Sequence, residues 1–292
     1  MQEILQVTIS GLATGAIYAM VAMGFTLLWQ TTSTINFAQG EFVMLPAFLM
    51  LGGIVVLDLP LAVAFVGALL ISAALLGAAF KRAIIDPMIR HGVLPLAIAT
   101  IGLTLALKNG VKAIYGAEAH PFPHPFPVEI WRVLGVAFSS YDIAVIASVA
   151  AVVFALNRFL NGTMTGRSMQ AVAQNPEAAV VLGIDVKRLI LYTFVVNAAL
   201  AAAAALLVTP VYLFKFDLGE SLGLKAFYAA IIGGFNQMRG ALVGGLIVGV
   251  LENLSAVYFA PAYKDAVALG LFVLVILFRP EGLLGREEAR RV

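Results

Sequence analysis

Residues 59–80 read LPLAVAFVGALLISAALLGAAF and contain no charged side chain. About 20 apolar residues are enough for an α-helix to cross the hydrocarbon core of a bilayer, so this stretch predicts a membrane-spanning helix. Similar runs occupy residues 4–29, 42–57, 93–115, 143–159, 189–211, 241–259 and 266–278. A shorter run, 222–235, ends in Gly233-Gly234 and fits either a tilted span or a re-entrant half-helix. The pattern predicts an all-α integral membrane protein, a polytopic helical bundle of about 8–9 spans.

The composition agrees with this class. Of 292 residues, 62% are hydrophobic and only 12% are charged, about half the charged share of a soluble domain. The net charge of +2 is too small to indicate nucleic-acid binding, and the absence of cysteine excludes disulfides and thiolate metal sites. The apolar stretch after Met1-Gln2-Glu3 is too long for a signal peptide, so we expect a retained first span.

Lysine and arginine predict the orientation, because cytoplasmic loops carry an excess of them. Three groups should be cytoplasmic: Lys81, Arg82 and Arg90; Arg158, Arg167, Lys187 and Arg188; and Arg279, Arg286, Arg290 and Arg291. All three agree only if residues 222–235 cross the membrane, and we favour these nine crossings with an external N-terminus. Residues 116–140 then form an extracytoplasmic loop, made extended and stiff by its repeated prolines, and residues 161–188 form a cytoplasmic loop.

The cytoplasmic loop carries the signals of a short helix. Asn175 is a good N-cap, Pro176 suits the first helical position, and Glu177 faces the positive end of the helix dipole. Residues 178–182 continue the helix, and Gly183 can end it in the left-handed conformation. The sequence predicts a capped helix outside the bilayer.

Glycines four residues apart lie on one face of a helix and let another helix approach closely. Such pairs are Gly11 and Gly15, Gly240 and Gly244, and Gly245 and Gly249. Each alone indicates generic tight packing. Together they favour a compact bundle over isolated anchors.

The polar stretch 31–41 joins the first two predicted spans without a basic residue. Polar groups are costly in lipid and tend to mark transport pathways, so Asn36, Gln39, Gly40 and Glu41 are candidates for a translocation path. The alternative is an ordinary cytoplasmic turn, with Glu41 at a helix start.

Polar residues also occur within later spans. Glu252 should face a polar partner or a wet cavity, which makes it a further path candidate or half of a buried hydrogen bond, and Asn197 has a similar status. Lys108, Asn109 and Lys112 lie late in their span. We expect them to extend towards the outer interface rather than to bind substrate.

No catalytic pattern is present. The sequence lacks a Gly-x4-Gly-Lys-Ser/Thr phosphate loop, so the chain should not hydrolyse ATP itself. His91, His120 and His124 lie in predicted loops without a third metal ligand in view. We therefore predict a protein that is not an enzyme and has no catalytic, cofactor or metal site.

Four segments carry a resemblance to a known family. They are Thr34–Phe42 with its Asn-Phe-Ala-x-Gly signature, the stretch from Gly166-Arg167-Ser168 to Gly183-Ile184-Asp185, Ile232-Gly233-Gly234 with the glycines at 240–245, and the ending at 279–286. In these segments the chain resembles the branched-chain amino acid ABC transporter permeases, specifically the shorter of their two permease subunits. Their order and spacing cover nearly the whole chain. The resemblance implies one transmembrane permease domain over residues 1–292.

The resemblance gives the short helix a role, because ABC importers dock a cytoplasmic coupling helix in a groove of the ATP-binding subunit. Gln170 departs from many relatives, which carry a basic residue there, so fewer charge contacts to that subunit are expected. Ala179 is expected on the docking face. The residues implied in coupling are Arg167, Asn175, Glu177, Ala178, Ala179 and Gly183.

The resemblance further implies an importer in the bacterial cytoplasmic (inner) membrane. Its partners would be a second permease subunit forming a heterodimer, two ATP-binding subunits and an extracytoplasmic solute-binding protein. The cargo would be branched-chain or other small amino acids, and urea, an amide or another small polar solute remains an alternative. A self-contained channel or secondary transporter is a weaker alternative, because the sequence shows one convincing deep acid, Glu252, and no clear repeat.

Overall fold

The computed structural model describes residues 2–133, 135–212 and 214–285. Within these ranges, eight helices are long and apolar enough to cross a membrane. They are α1 Gln2–Thr32, α2 Gln39–Leu57, the run Leu61–Met88, α5 Val93–Tyr115, α6 Ser140–Gly162, α9 Val186–Val208, α11 Met238–Tyr258 and the run Pro261–Phe278. The expected polytopic helical architecture is confirmed. Arg286, Arg290 and Arg291, expected in the cytoplasm, lie outside the described residues.

Two of these spans are composite. The run Leu61–Met88 consists of α3 Leu61–Ser72, two π-helical stretches at Ala73–Ala79 and Lys81–Ile85, and α4 Asp86–Met88. The run Pro261–Phe278 consists of a 3-10 turn at Pro261–Tyr263 and α12 Lys264–Phe278. The remaining elements are a 3-10 turn Ile89–His91, α7 Met164–Gln174, α8 Pro176–Val181, α10 Leu218–Gly233 and the antiparallel hairpin of β1 Ile130–Val133 and β2 Val136–Ser139.

Helix α10 contains most of the short run 222–235, for which the sequence predicted either a tilted span or a re-entrant half-helix. Its 16 residues make a rod of about 24 Å, shorter than the roughly 30 Å hydrocarbon core. Residues 209–212 and 214–217, between α9 and α10, are irregular. The crossing of the membrane by this part of the chain stays a prediction.

Contacts divide the chain into two compact units. The first comprises Met1–Thr26, Phe126–Val149 and Leu224–Val292. Within it, glycines let α1 and α11 approach each other closely: a Cβ on Gly11 would lie 2.7 Å from the Cα of Val250, and one on Gly15 would lie 2.7 Å from the carbonyl oxygen of Gly245. The close packing expected for this spacing is confirmed.

The end of α10 and the segment after α12 also meet within the first unit. Leu283 donates its backbone N–H to the carbonyl of Ile232 at 2.8 Å, and Leu284 donates to that of Gly233 at 3.0 Å. A Cβ on Gly234 would lie 2.8 Å from the backbone nitrogen of Gly285. Two of the four segments that carried the resemblance thus pack against each other and share backbone hydrogen bonds.

The second unit comprises Leu27–Pro125 and Ala150–Gly223. Its core contains aromatic contacts between α2, α9 and the composite third span: the ring of Phe80 lies 5.4 Å from that of Phe42 and 5.7 Å from that of Phe194. On this unit's long loop, the backbone N–H of His120 donates to the carbonyl of Phe214 at 2.9 Å. This bond ties the proline-rich stretch to the segment before α10.

Candidate functional site

The polar stretch after α1 does not continue as a helix. Residues 34–36 have no regular structure, and α2 begins only at Gln39. The Asn36 side chain accepts a hydrogen bond from the backbone N–H of Ala38 at 3.1 Å, the local turn that asparagine favours. Asn36 is 4% exposed, so this is a buried irregular segment rather than a solvated turn.

Two threonines of α5 satisfy the backbone of this segment. The hydroxyl of Thr100 accepts the N–H of Phe37 at 3.2 Å, and the hydroxyl of Thr104 donates to the Phe37 carbonyl at 3.3 Å. These threonines lie 7 and 11 residues after Val93, the first residue of α5, which corresponds to about 10–16 Å along the helix. The segment therefore lies beside the middle of a span, and α2 starts there rather than at the end of α5. Irregular backbone survives at such depth only inside protein or beside water.

The first residue of α2 is held by a reciprocal amide pair. The Gln39 side chain donates to Asn197 of α9 at 2.7 Å, and the Asn197 side chain donates back at 2.9 Å. Both residues are fully buried. The pair holds the start of α2 against α9, and it explains why each of these two apolar helices contains a buried amide.

The next residue, Gly40, forms a close helix crossing. A Cβ on Gly40 would overlap the carbonyl oxygen of Gly219 in α10, and a Cβ on Gly219 would lie 2.8 Å from the carbonyl oxygen of Gly40. A Cβ on Gly223, one turn later in α10, would lie 2.9 Å from the Cα of Gly40. The starts of the two helices thus touch backbone to backbone, which only glycine permits.

Glu41 differs from Gln39 because no described residue donates a hydrogen bond to its side chain. It is 1% exposed, and neither carboxylate oxygen has a hydrogen-bond partner among the described residues. Its Oε2 lies beside Gly219, where a Cβ would be 2.9 Å away. Glu220, the residue after Gly219, forms an ion pair with Lys108 of α5. A buried acid without a hydrogen bond is expensive and points to a functional position.

Glu252 has the polar partners that the sequence predicted. Within the first unit, its carboxylate accepts hydrogen bonds from Lys225 Nζ at 2.8 Å and from the Tyr18 hydroxyl at 2.9 Å, and Lys264 Nζ lies 3.9 Å away. Lys225 also contacts Asp265 Oδ1 at 3.1 Å. The expectation of a polar partner is confirmed, whereas a place for Glu252 on a translocation path stays a prediction.

The loop between α6 and α9 contains α7 and α8. Thr163 caps α7 by accepting the backbone N–H of Gly166 at 3.0 Å, and Asn175 caps α8 by accepting that of Ala178 at 3.0 Å. Gly183 follows α8 with a φ of 78°, in the left-handed region that favours glycine. The capped helix predicted from the sequence is confirmed.

The side chains of this helix are distributed differently from the expectation. Ala179 is 1% exposed and packs within the chain, whereas Val181 is 86% exposed and Leu182 is 76% exposed. The expectation that Ala179 presents its side chain to a partner is therefore wrong, because the apolar side chains at the end of the helix form the exposed face. Glu177 and Arg167 are exposed, and Arg167 Nε donates to the carbonyl of Asn161 at 3.0 Å.

The model of one protein family, "Branched-chain amino acid transport system / permease component", matches residues 7–276. The chain belongs to this permease family. It is 34% identical to the high-affinity branched-chain amino acid transport system permease protein BraD of Pseudomonas aeruginosa, over 99% of this chain and 98% of the relative. It is 35% identical to the high-affinity branched-chain amino acid transport system permease proteins LivH of Salmonella typhimurium and Escherichia coli, over 99% of this chain and 97% of each relative.

The family assigns this chain the role of a transport permease, a multi-pass membrane protein. The structure brings four path candidates together at the start of α2, namely Asn36, Gln39, Gly40 and Glu41. It places Glu252 in a separate network of α11, within the first unit. Their roles in transport are proposals.

Sequence reasoning missed the partners of this permease's polar residues. Lys108 was expected to extend to the outer interface, but it pairs with Glu220, and Lys112 Nζ lies 4.9 Å from the centre of the Phe216 ring. A signal was present: Thr100, Thr104, Lys108 and Lys112 recur every four residues and so form one polar face of α5.

Proposed function

We propose that this permease is a subunit of an ABC importer for branched-chain amino acids in the bacterial cytoplasmic (inner) membrane. The observation that carries the proposal is the identity of 34–35% along nearly the entire chain to permeases of high-affinity branched-chain amino acid transport systems. The buried polar start of α2 supports it, because a helix beginning inside the membrane is a usual way to build a binding or passage site for a polar solute.

The proposed importer contains partners that supply what this chain lacks. A second permease subunit would complete the translocation path as a heterodimer, two ATP-binding subunits would hydrolyse ATP, and an extracytoplasmic solute-binding protein would deliver the cargo. The sequence supports this division of labour because it contains no phosphate-binding loop.

The loop 161–188 is the proposed coupling element. Helix α8 ends at Val181, and both Val181 and the following Leu182 are exposed and apolar. The flanking Arg167, Lys187 and Arg188 predict a cytoplasmic location for them. Exposed apolar groups on an aqueous loop mark a protein contact. The residues proposed for coupling remain Arg167, Asn175, Glu177, Ala178, Ala179 and Gly183, with Ala179 as an internal support.

The mechanism follows from this arrangement. Closure of the ATP-binding subunits would move α8, and the capped loop would transmit the movement to α6 and α9, between which it lies. Access to the path would then alternate between the two sides of the membrane. Reciprocal linkage requires that cargo binding and ATP binding change each other's affinity by the same factor.

The experiment is reconstitution of the chain with the second permease, ATP-binding and solute-binding proteins encoded with it. Proteoliposomes should accumulate radiolabelled leucine, isoleucine and valine with ATP present, and urea should not be accumulated. ATP-dependent uptake of urea but of no amino acid would refute the substrate assignment. Failure of the chain to copurify with any ATP-binding protein would refute the importer assignment.

The coupling element has its own test. Val181→Asp places a charge on the proposed contact, where it would lose water without gaining a partner. We expect the ATP-binding subunits to be lost on copurification while both permeases remain together. Val128→Asp is the matched control, because Val128 is also exposed, at 52%, but lies on the loop 116–140. Equal retention of the ATP-binding subunits by both variants would argue against docking at α8.

A further inference from the structure

The starts of α2 and α10 carry the same short motif. Phe37-Ala38-Gln39-Gly40-Glu41 and Phe216-Asp217-Leu218-Gly219-Glu220 both read Phe-x-x-Gly-Glu. The structure brings the two copies together through their glycines, each of which touches the backbone carbonyl of the other. A five-residue match is too short to indicate a repeat from the sequence alone. The contact between Gly40 and Gly219 shows that the two copies pack together.

The two glutamates of the repeat have different surroundings. Glu220 forms an ion pair with Lys108 of α5, and the side chains are 55% and 23% exposed respectively. Glu41 is buried and has no hydrogen bond from any described residue, and its Oε2 lies beside Gly219, the residue before Glu220. The ammonium group of Lys108 thus pairs with Glu220, while Glu41 receives no hydrogen bond from the described residues.

The ion pair does not lie at the end of its span. Lys108 is seven residues before Tyr115, the last residue of α5, which corresponds to about 10 Å. A charged pair that is partly exposed at this depth should face water, a partner or cargo rather than lipid. The polar face of α5 continues from it to Thr104 and Lys112.

The first residues of the repeat add apolar surface beside these charges. Phe37 is 45% exposed, and the Phe216 ring lies 5.7 Å from Lys108 Nζ and 4.9 Å from Lys112 Nζ. The cluster therefore offers an ammonium group, two carboxylates and two aromatic rings within one unit.

We propose that this cluster binds a zwitterionic amino acid during transport. The substrate carboxylate binds Lys108, the substrate ammonium group lies between Glu41 and Glu220, and an aliphatic side chain packs against Phe37 and Phe216. We call these five residues the twin-motif site. The proposal rests on the proposed function, whose substrate class it connects to named side chains.

The charges explain why a zwitterion fits. A substrate with one charge could pair with only Lys108 or only Glu220, whereas a zwitterion offers a partner to both halves of that pair at once. Its ammonium group also supplies the hydrogen bonds that Glu41 lacks. A neutral solute such as urea offers neither full charge, so it would leave the opened ions uncompensated.

Glu41→Gln is the sharpest test, because it removes the acid that would pair with the substrate ammonium group without removing a hydrogen bond seen in the structure. We expect the assembled importer to keep its yield and melting temperature, or to gain stability, while leucine uptake falls about tenfold or more through the loss of a charge-assisted contact. Asp58→Asn is the matched control: it removes one exposed carboxylate elsewhere in this unit, at a left-handed position that asparagine tolerates, and should leave uptake unchanged.

Charge exchange separates substrate binding from a structural ion pair. In Lys108→Glu/Glu220→Lys the pair can re-form, so assembly should persist, but uptake should stay about tenfold or more below wild type because the two ends of the substrate now meet like charges. Wild-type leucine uptake in this double variant or in Glu41→Gln would overturn the proposal and leave the proposed function intact. Wild-type importer that transports no amino acid would overturn both.

Discussion

Loss of Lys225 should destabilise the protein strongly, because it removes the nearest cation from a buried carboxylate. Glu252 is fully buried, and Lys225 Nζ lies 2.8 Å from its Oε1. Breaking a buried ion pair by removing one partner costs about 3–5 kcal/mol. We expect Lys225→Met to fall near the lower end of this range, because Lys264 Nζ at 3.9 Å and the Tyr18 hydroxyl at 2.9 Å still stabilise the carboxylate.

The neighbouring substitutions should form a graded series. Tyr18→Phe removes one hydrogen bond to a charged group, worth about 1.5–3 kcal/mol. Asp265→Asn removes a pair whose acid is 81% exposed, and such pairs contribute less than about 1 kcal/mol. Lys225→Met/Glu252→Gln should recover most of the stability, because the buried charge leaves with its partner.

The assay is thermal unfolding of the purified importer in detergent, with each variant compared at equal protein and lipid content. The expected order of destabilisation is Lys225→Met, then Tyr18→Phe, then Asp265→Asn. The reasoning is refuted if Lys225→Met shifts the melting temperature no more than Asp265→Asn, or if the double variant is as unstable as Lys225→Met alone.

Three further outcomes test the start of α2 and the topology. Gln39→Leu should lower the folding stability by about 1–3 kcal/mol because it leaves the Asn197 amide buried and unpaired. Gln39→Leu/Asn197→Leu should regain stability in the melting assay but not leucine uptake, and full uptake would remove Gln39 from the path. Gly40→Ala should lower the yield of assembled permease, whereas Gly102→Ala, whose Cβ would meet nothing within 4 Å, should not; equal yields would contradict the close crossing. Ala178→Cys would be the chain's sole cysteine and should react with an impermeant maleimide only from the cytoplasmic side; labelling of intact cells would invert the topology.

The sequence was sufficient for the features that depend on local pattern. Apolar runs predicted the membrane-length helices because a bilayer imposes a minimum length and tolerates few charges. The cap residues Asn175 and Gly183 predicted α8 because they satisfy backbone groups within a few residues of themselves. The amide and carboxylate at Gln39 and Glu41 were identified as unusual for the same local reason, their position beside an apolar run.

Features that depend on distant residues were out of reach. The pairing of Gln39 with Asn197 and of Lys108 with Glu220 joins positions more than a hundred residues apart, and no periodicity specifies such partners. The same applies to Ala179, whose burial depends on how the loop folds back and not on its own residue type. The β1–β2 hairpin was missed because the predicted stiff loop was interpreted from its prolines, which end at Pro127.

Glu41 and Glu252 are both buried, so their hydrogen-bond partners, rather than their burial, indicate which of them binds the transported solute. The sequence predicted Glu252 as the one convincing deep acid and left Glu41 between a path position and an ordinary helix start. In the structure both are at most 1% exposed, yet Glu252 accepts hydrogen bonds from Lys225 and Tyr18. A carboxylate with its own cation gains little from a second one and opposes being opened, which favours a structural role. Glu41 has no hydrogen bond from the described residues and lies at a crossing of glycine backbones beside the partly exposed Lys108, so an incoming ammonium group would improve its surroundings. Differential binding of that kind is what a transport cycle needs, since a ligand shifts a conformational equilibrium only by as much as it binds one state better than the other.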